Sequence, residues 1–203
     1  MTPTALVDRN DKGTSIGSRG GVPITLNGTT VKVIDFSGLG AQLQSVNGVT
    51  GINVWGSIVG SYNTSSAVNG FKRWSNGGFV KLKFPQASST FPSGINDHGT
   101  VVGSYFVGPS GVQLPENGFI YQGGQWATLN YPNATFTDLV GISNADVVVG
   151  NAVDTDGGFL YENGTFKQIS DPKGSPTNVY GISPKLGLIV GTSNSGGFIA
   201  TCK

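Results

Sequence analysis

The sequence predicts an all-β protein, a single five-bladed β-propeller domain over residues 1–203 with about 41–47 residues per blade. Two observations favour this fold. First, a motif of Gly-Ile-Asn or Gly-Ile-Ser, a tight turn and an apolar-Val-Gly ending recurs along the chain, with a diverged copy at the N-terminus. Its closing glycines lie 41 to 47 residues apart, at Gly17, Gly60, Gly103, Gly150 and Gly191. Second, each period has room for several short strands, which is typical of a propeller.

The third repeat illustrates the four strands expected of a blade, named A to D. Strand A ends at Asn96 before a turn, and strand B covers 100–106. Strand C begins at Gly118, a Gly123-Gly124 hairpin turn follows, and strand D ends before Pro132.

The other repeats align with this pattern. A phenylalanine begins strand C in four repeats, at Phe71, Phe119, Phe159 and Phe198. The remaining C–D turns are predicted at Asn27-Gly28, Asn76-Gly77 and Asn163-Gly164. Prolines at 85, 132 and 172 are expected to end strand D. The fifth repeat lacks a strand D, so we expect a last blade of three strands, or a natural N-terminal strand that has been trimmed. Trp126 is predicted in the core, which packs between blades.

Composition narrows the function classes. Only 11% of residues are charged and the net charge is +1, so nucleic acid is not an expected partner. No apolar run is long enough for a membrane span. One cysteine, Cys202, and one histidine, His98, argue against a metal site, and no cofactor is expected. The uncharged polar surface favours an extracellular, secreted protein, and we expect a monomer. Because no signal peptide follows Met1, the chain is either cytosolic or a mature form with an added Met.

Residues 94–105, which read GINDHGTVVGSY, and 117–121, which read NGFIY, resemble the HAF-type extracellular repeat of bacterial secreted proteins. The ending GFIAT at 197–201 resembles the last unit of that family. The resemblance covers nearly the whole chain, although the family's His before Gly-Phe is absent. It implies a propeller and an extracellular setting, and it carries no catalytic motif.

Binding residues are expected on the face formed by the B–C and D–A connections, which are longer than the A–B and C–D turns. The longest B–C loop is predicted from about Val107 to Asn117. Six residues on this face are predicted to bind ligand: Tyr62, Asn63, Tyr105, Asp154, Asp156 and Tyr180. Phe106, Asp138 and Asn178 are further candidates there. The tyrosine rings would stack on a sugar face; the alternative is that they pack against their own loops.

Strand A is expected to line the central axis, where a glycine recurs at positions 51, 94, 141 and 181. The first repeat has Asp8 at this position, followed by Arg9. A carboxylate at a crowded axis would have a perturbed pKa, so Asp8 and Arg9 are the candidate catalytic residues. The alternative is a local contact between the two residues, or between Asp8 and the backbone.

Three functions from different classes follow. The first is a secreted binding module for a small molecule or glycan, lectin-like in its use of several similar pockets. The second is an enzyme with a carboxylate-based site at the axis, and the third is a passive surface scaffold. The sequence favours the first.

Overall fold

The computed structural model describes residues 4–40, 43–108, 115–155, 157–171 and 176–201. In these ranges the chain forms strands and one short 3-10 turn, Ser37–Leu39, with no α-helix. None of the described segments is a helix able to span a membrane. The all-β prediction is therefore confirmed. Consecutive strands pair into five antiparallel units, which we number 1 to 5 along the chain.

The strand bounds follow the predicted order A to D in each unit. Unit 1 contains β1 (Thr4–Arg9), β2 (Thr14–Arg19), β3 (Val22–Asn27) and β4 (Thr30–Val33). Unit 2 contains β5 (Ser45–Ile52), β6 (Ile58–Asn63), β7 (Val68–Arg73) and β8 (Phe79–Leu82). Unit 3 contains β9 (Ser89–Ile95), β10 (Val101–Phe106), β11 (Glu116–Gln122) and β12 (Gln125–Thr128). Unit 4 contains β13 (Thr137–Ile142), β14 (Val148–Ala152), β15 (Gly157–Glu162) and β16 (Thr165–Gln168). Unit 5 contains β17 (Thr177–Ile182), β18 (Leu188–Ser193) and β19 (Gly196–Thr201).

Backbone pairing groups these units into three sheets of four, eight and seven strands. Unit 1 is a sheet by itself. Units 2 and 3 share a sheet through a parallel pair between Val68 and Ser89, and units 4 and 5 share one through Gly157 and Thr177. All other strand pairs in the described residues are antiparallel neighbours within a unit, so each unit is a meander that packs face to face on the next.

The hairpin turns between strands C and D follow the predicted chemistry in two units. Gly123 and Gly124 adopt φ of 58° and 88°, and Asn163 and Gly164 adopt 49° and 81°, as a two-residue turn with left-handed centres requires. In unit 1 the turn lies one residue later than predicted, because Asn27 pairs with Thr30. In unit 2 the connection is longer, since Arg73 pairs with Phe79.

The core lies between units, as predicted. Four apolar clusters occupy the four junctions of consecutive units. The strand-C rings of Phe71, Phe119 and Phe159 are fully buried. Each lies over a strand-B glycine, so that a Cβ at Gly103 would approach the Phe119 ring to 2.9 Å. Trp126 packs edge-on against Phe119 with ring centroids 5.1 Å apart, in agreement with its predicted place in the core.

Three predictions on chain segments have mixed outcomes. Strand D ends at Leu82, Thr128 and Gln168, earlier than the prolines suggest. Unit 5 has three strands in the described residues, as expected. Residues 109–114 of the predicted long B–C loop lie outside the described residues, as do residues 1–3 and Pro172.

Candidate functional site

A small cavity of about 110 Å³ lies where the five A strands converge. Every unit contributes strand-A residues to its wall, so the prediction that strand A lines the axis agrees with the structure. Backbones approach closely here. A Cβ at Gly94 would lie 3.1 Å from the Cα of Gly141, and one at Gly51 would lie 3.3 Å from the Cα of Gly94. A side chain is therefore disfavoured at these glycine positions of units 2 to 4, and peptide groups form much of the wall there.

Asp8 is the one charged residue among the described residues that line this axial cavity. It occupies the glycine position of strand A and points toward unit 2, where its Oδ2 accepts the Ile52 N–H at 2.8 Å. Its Oδ1 accepts the Arg9 N–H at 2.7 Å. Burial raises the pKa of the Asp8 carboxyl, although both hydrogen bonds oppose this effect. Asp8 therefore makes the local backbone contacts that the sequence offered as an alternative, and it also faces the cavity. Its catalytic role stays a prediction.

Tyr180 lines the same cavity from the opposite end of the arc of units. Its side chain is 62% exposed, and its hydroxyl shares a hydrogen bond of 3.0 Å with Thr192 Oγ1. The structure therefore brings together two residues that the sequence nominated for different reasons. Arg9 is exposed and does not contribute to the cavity wall.

A larger cleft of about 350 Å³ lies between units 1 and 2 and adjoins the axial cavity, because Val7 and Thr50 line both. This volume falls within the range of small-molecule sites. Its polar side chains are Ser18, Asn47 and Thr50. Asn63, a predicted ligand residue, lies behind this wall and donates its amide to Asn47 Oδ1 at 2.6 Å.

The structure corrects the predicted stacking surface made by Tyr62 and Tyr105. These side chains are 2% and 6% exposed and belong to the core at the first and second junctions. The Tyr105 ring stacks on Phe84 with centroids 3.7 Å apart, and its hydroxyl bonds Thr128 Oγ1 at 2.9 Å. A ligand cannot reach either ring without separating two units, so the packing alternative applies.

Asp154, another predicted ligand residue, lies away from the axial cavity. Asp154 is exposed and accepts the backbone N–H groups of Thr135 at 2.8 Å and Phe136 at 3.3 Å. The Thr135 bond is the main reason that the pKa of Asp154 is lowered. This carboxylate fixes the start of the unit 4 strands, and it does not line the axial cavity. Asp156 lies outside the described residues.

Asp138 on β13 gains significance from its surroundings. Burial, with a smaller contribution from the negative charge of Glu116, raises the pKa of Asp138 to about 6. The sequence indicated Asp138 as a candidate but gave no sign of Glu116, because 21 residues separate them along the chain and only the fold brings them close. No group of three or more His, Cys, Asp or Glu side chains suited to a metal occurs in the described residues.

Comparison with solved structures supports a β-propeller-like fold. A protein assigned to the gluconolactonases is 11% identical, with a TM-score of 0.58 over 99% of this chain and 75% of its own. A streptogramin B lyase is 13% identical, with a TM-score of 0.54 over 98% of this chain and 68% of its own. The extracellular domain assigned to a hybrid two-component system of B. thetaiotaomicron is 16% identical, with a TM-score of 0.55 over 97% of this chain and 27% of its own. These similarities concern the fold alone. No protein-family profile and no curated protein sequence matches the chain.

Proposed function

We propose that the chain is a single-domain, five-bladed propeller of the HAF repeat type, secreted, whose axial cavity and adjoining cleft bind a small hydroxyl-rich ligand such as a carbohydrate. The observation that supports this proposal is the convergence of Asp8 and Tyr180 on one cavity next to a cleft of ligand size. Low charge content and the resemblance to secreted repeats support the extracellular setting.

The lining chemistry favours a neutral ligand rich in hydroxyl groups. Asp8 keeps acceptor capacity beyond its two backbone bonds, and a carboxylate of this kind accepts sugar hydroxyls. Asn47 and Ser18 add donors and acceptors in the cleft. The exposed ring of Tyr180 offers an apolar face beside them. An anionic ligand is disfavoured because no cationic side chain lines either space in the described residues.

A glycan array followed by calorimetry with a selected neutral oligosaccharide tests this site. Asp8→Asn keeps an acceptor for the Ile52 N–H, so the fold is expected to persist while affinity falls by about tenfold or more. Tyr180→Ala is expected to weaken binding similarly. Asp11→Asn, an exposed carboxylate in the A–B turn of unit 1, is the matched control. Loss of binding in Asp154→Asn with full binding in Asp8→Asn would contradict the axial assignment.

A second candidate function is a carboxylate-based enzyme, and the raised pKa of Asp138 beside Glu116 favours it. Such a group keeps its proton up to about pH 6, so in mildly acidic solution it can donate that proton to a leaving oxygen. Because one structural neighbour is assigned to the gluconolactonases, hydrolysis of gluconolactone is the first reaction to assay. Turnover that falls as pH rises through the pKa of Asp138, and that disappears in Asp138→Asn, supports this candidate. If the unmodified chain shows no turnover, the candidate is rejected for this substrate.

A further inference from the structure

The first junction between units differs from the next two in the side chains that occupy its outer part. At the second and third junctions, Tyr121 and Tyr161 belong to the apolar packing between units. Each tyrosine lies against the ring of its neighbouring strand D, Trp126 or Phe166, with centroids 4.6 and 4.8 Å apart. Two of the junctions are thus closed by an aromatic pair.

At the first junction an arginine replaces the tyrosine. Arg73 pairs with Ile58, the first residue of β6, and the tyrosines pair with the equivalent first residues of β10 and β14. On the opposing unit 1, Thr25 and Lys32 continue the cross-strand row of the buried Ile16. The equivalent row of unit 3, at the third junction, is apolar throughout. The first junction therefore has two cations and a hydroxyl where the third has apolar contacts.

This exchange coincides with a pocket of about 260 Å³ between units 1 and 2. Its wall has an apolar part and a polar part. The buried isoleucines are Ile34, Ile52 and Ile58, the hydroxyl side chains are Thr14, Thr25 and Ser75, and the cations are Lys32 and Arg73. No carboxylate of the described residues lines the pocket, so two positive charges border one space without an acidic counterpart. An anion in this space would offset their mutual repulsion.

The two cations can both donate to a ligand. Arg73 donates Nε to the Asp35 carbonyl at 3.2 Å and Nη1 to the Trp74 carbonyl at 3.3 Å, which orients the guanidinium and leaves Nη2 to donate elsewhere. The Asp35 carboxylate accepts the N–H and the hydroxyl of Ser37, and it lies outside the pocket wall. Lys32 is exposed and makes no hydrogen bond or ion pair with any described residue. Its ammonium is therefore available at the mouth of the pocket.

We propose that this pocket binds a small organic anion, with a carboxylate between Lys32 and Arg73 and an apolar body against Ile52 and Ile58. The apolar body would take the space that a tyrosine ring occupies at the next two junctions. A guanidinium and an ammonium are the side-chain groups that form strong, charge-assisted hydrogen bonds to a carboxylate, and the Thr25 hydroxyl can add a third donor. This pocket shares no residue with the axial cavity or its adjoining cleft, so the inference goes beyond the proposed function.

Calorimetry and amide chemical shifts of the full chain, with benzoate as the probe, test this site. Benzoate is expected to bind and to shift the amides of Ile34 and Gly56, whereas benzamide, its neutral counterpart, is expected to bind about tenfold more weakly or less. Lys32→Gln is expected to weaken benzoate binding by about tenfold. Arg73→Tyr supplies the ring found in units 3 and 4 and is expected to abolish binding. Lys167→Gln is the matched control, because Lys167 is the exposed strand-D lysine of unit 4 in the register of Lys32.

Three outcomes would overturn the proposal. Benzoate causes no heat and no amide shift at any concentration; benzamide binds as tightly as benzoate; or Lys167→Gln weakens benzoate binding as much as Lys32→Gln does. Circular dichroism verifies that each variant is folded, and the exposed position of Lys32 keeps the test valid if Arg73→Tyr does not fold. Oligosaccharide binding by Lys32→Gln is expected to equal that of the unmodified chain, which separates this pocket from the axial site.

Discussion

Side-chain amides form hydrogen bonds across all four junctions between consecutive units. In the first three junctions these bonds lie at one end of the sheets, and in the fourth junction they lie at the opposite end. In the first three, a turn asparagine after strand A donates its amide to the carbonyl of the equivalent residue in the next unit. The bonds run from Asn10 to Asn53, from Asn53 to Asn96, and from Asn96 to Ser143, at 2.8, 3.1 and 3.1 Å. The carbonyl oxygen of each side chain accepts N–H groups of its own turn, so one residue fixes the turn and the junction.

The fourth junction lacks this amide because Ser143 replaces the asparagine. Its Oγ still accepts the N–H groups of Ala145 and Val147, so the turn remains fixed. At this junction the bridging amide is that of Asn151 on β14. Its Oδ1 accepts the Val179 N–H at 2.8 Å, and its Nδ2 donates to the Val179 carbonyl at 2.9 Å. Each of the four junctions thus has an amide bridge, but the bridge is not at the same place in all of them. The comparison also marks unit 5 as the least secured, since its cluster has the fewest fully buried residues among those described.

The largest expected contrast lies in the strand-C rings. Phe119→Ala removes a fully buried ring from the second junction and is expected to destabilise the fold by about 3–5 kcal/mol. Phe198→Ala removes the equivalent ring of unit 5, which is only partly buried, and is expected to cost about half as much. Urea unfolding measures both. Equal losses would show that unit 5 is as well packed as unit 3.

The next effect concerns pH and the two equivalent residues Asp138 and Asn178. The pKa of Asp138 is raised to about 6 in the fold from an ordinary value of 3.8. Between about pH 4 and pH 6 the folded chain therefore holds a proton that the unfolded chain has lost, and stability declines as pH rises. Asp138→Asn gives unit 4 the residue type that unit 5 has. It is expected to raise stability at neutral pH by up to about 3 kcal/mol and to flatten this part of the profile.

Asp154→Asn is the control for this titration because the shift has the opposite sign. Hydrogen bonds from Thr135 and Phe136 lower the pKa of Asp154, so its contribution to stability is present at neutral pH and is lost as pH falls. Thermal unfolding across the acidic range distinguishes the two. A stability profile for Asp138→Asn that parallels the unmodified chain would contradict the burial of this carboxyl.

Two smaller losses of stability distinguish the strand-B amide bridge of Asn151 from the turn amide bridge of Asn53. Asn151→Ala leaves two backbone groups of Val179 without partners and is expected to cost about 2 kcal/mol. Asn53→Ala removes one junction bond and two turn bonds, and a similar loss is expected. Amide exchange locates each loss: faster exchange is expected in β17 for the first variant, and in the turn after β5 for the second. Identical amide-exchange patterns in the two variants would mean that neither amide stabilises only its own junction.

The smallest expected effect is a gain. Ser143→Asn restores the missing amide, which is expected to donate to the Ser183 carbonyl and to stabilise the fourth junction by about 0.5–1 kcal/mol. Slower amide exchange in β17 and β18 is the measurement, because these strands report opening of unit 5. No change in their exchange rates would show that the amide of residue 143 does not reach the next turn.

Local sequence signals predicted the repeating parts of the fold. Gly123-Gly124 and Asn163-Gly164 form the expected turns because positive φ at both positions is a property of the residues themselves. The strand-C phenylalanines lie in the core because their spacing repeats with the unit. Asn27-Gly28 shows the limit of such signals: the turn forms with its centre one residue later, since the strand register decides which residues are central.

The candidate site was less predictable, because burial depends on neighbouring units. Tyr62 and Tyr105 share a register that the sequence showed correctly, yet a preceding unit covers that face, so their rings are core residues. Asp8 was found because it breaks a series of glycines, which is visible without coordinates. The raised pKa of Asp138 results from burial and from the negative charge of Glu116, and the residues around position 138 in the sequence do not predict it.

The recurring apolar contact between consecutive units also bears on how such a chain can change in length. Each unit touches its sequence neighbours through the same residue positions, so its stability depends mainly on its own turns and two adjoining surfaces. An in-frame tandem duplication of one unit, such as residues 137–176, would create a new junction that already has compatible residues on both sides. Gain or loss of a whole unit therefore keeps matching residues at the new junction, but it changes the number of A strands that meet at the axial cavity.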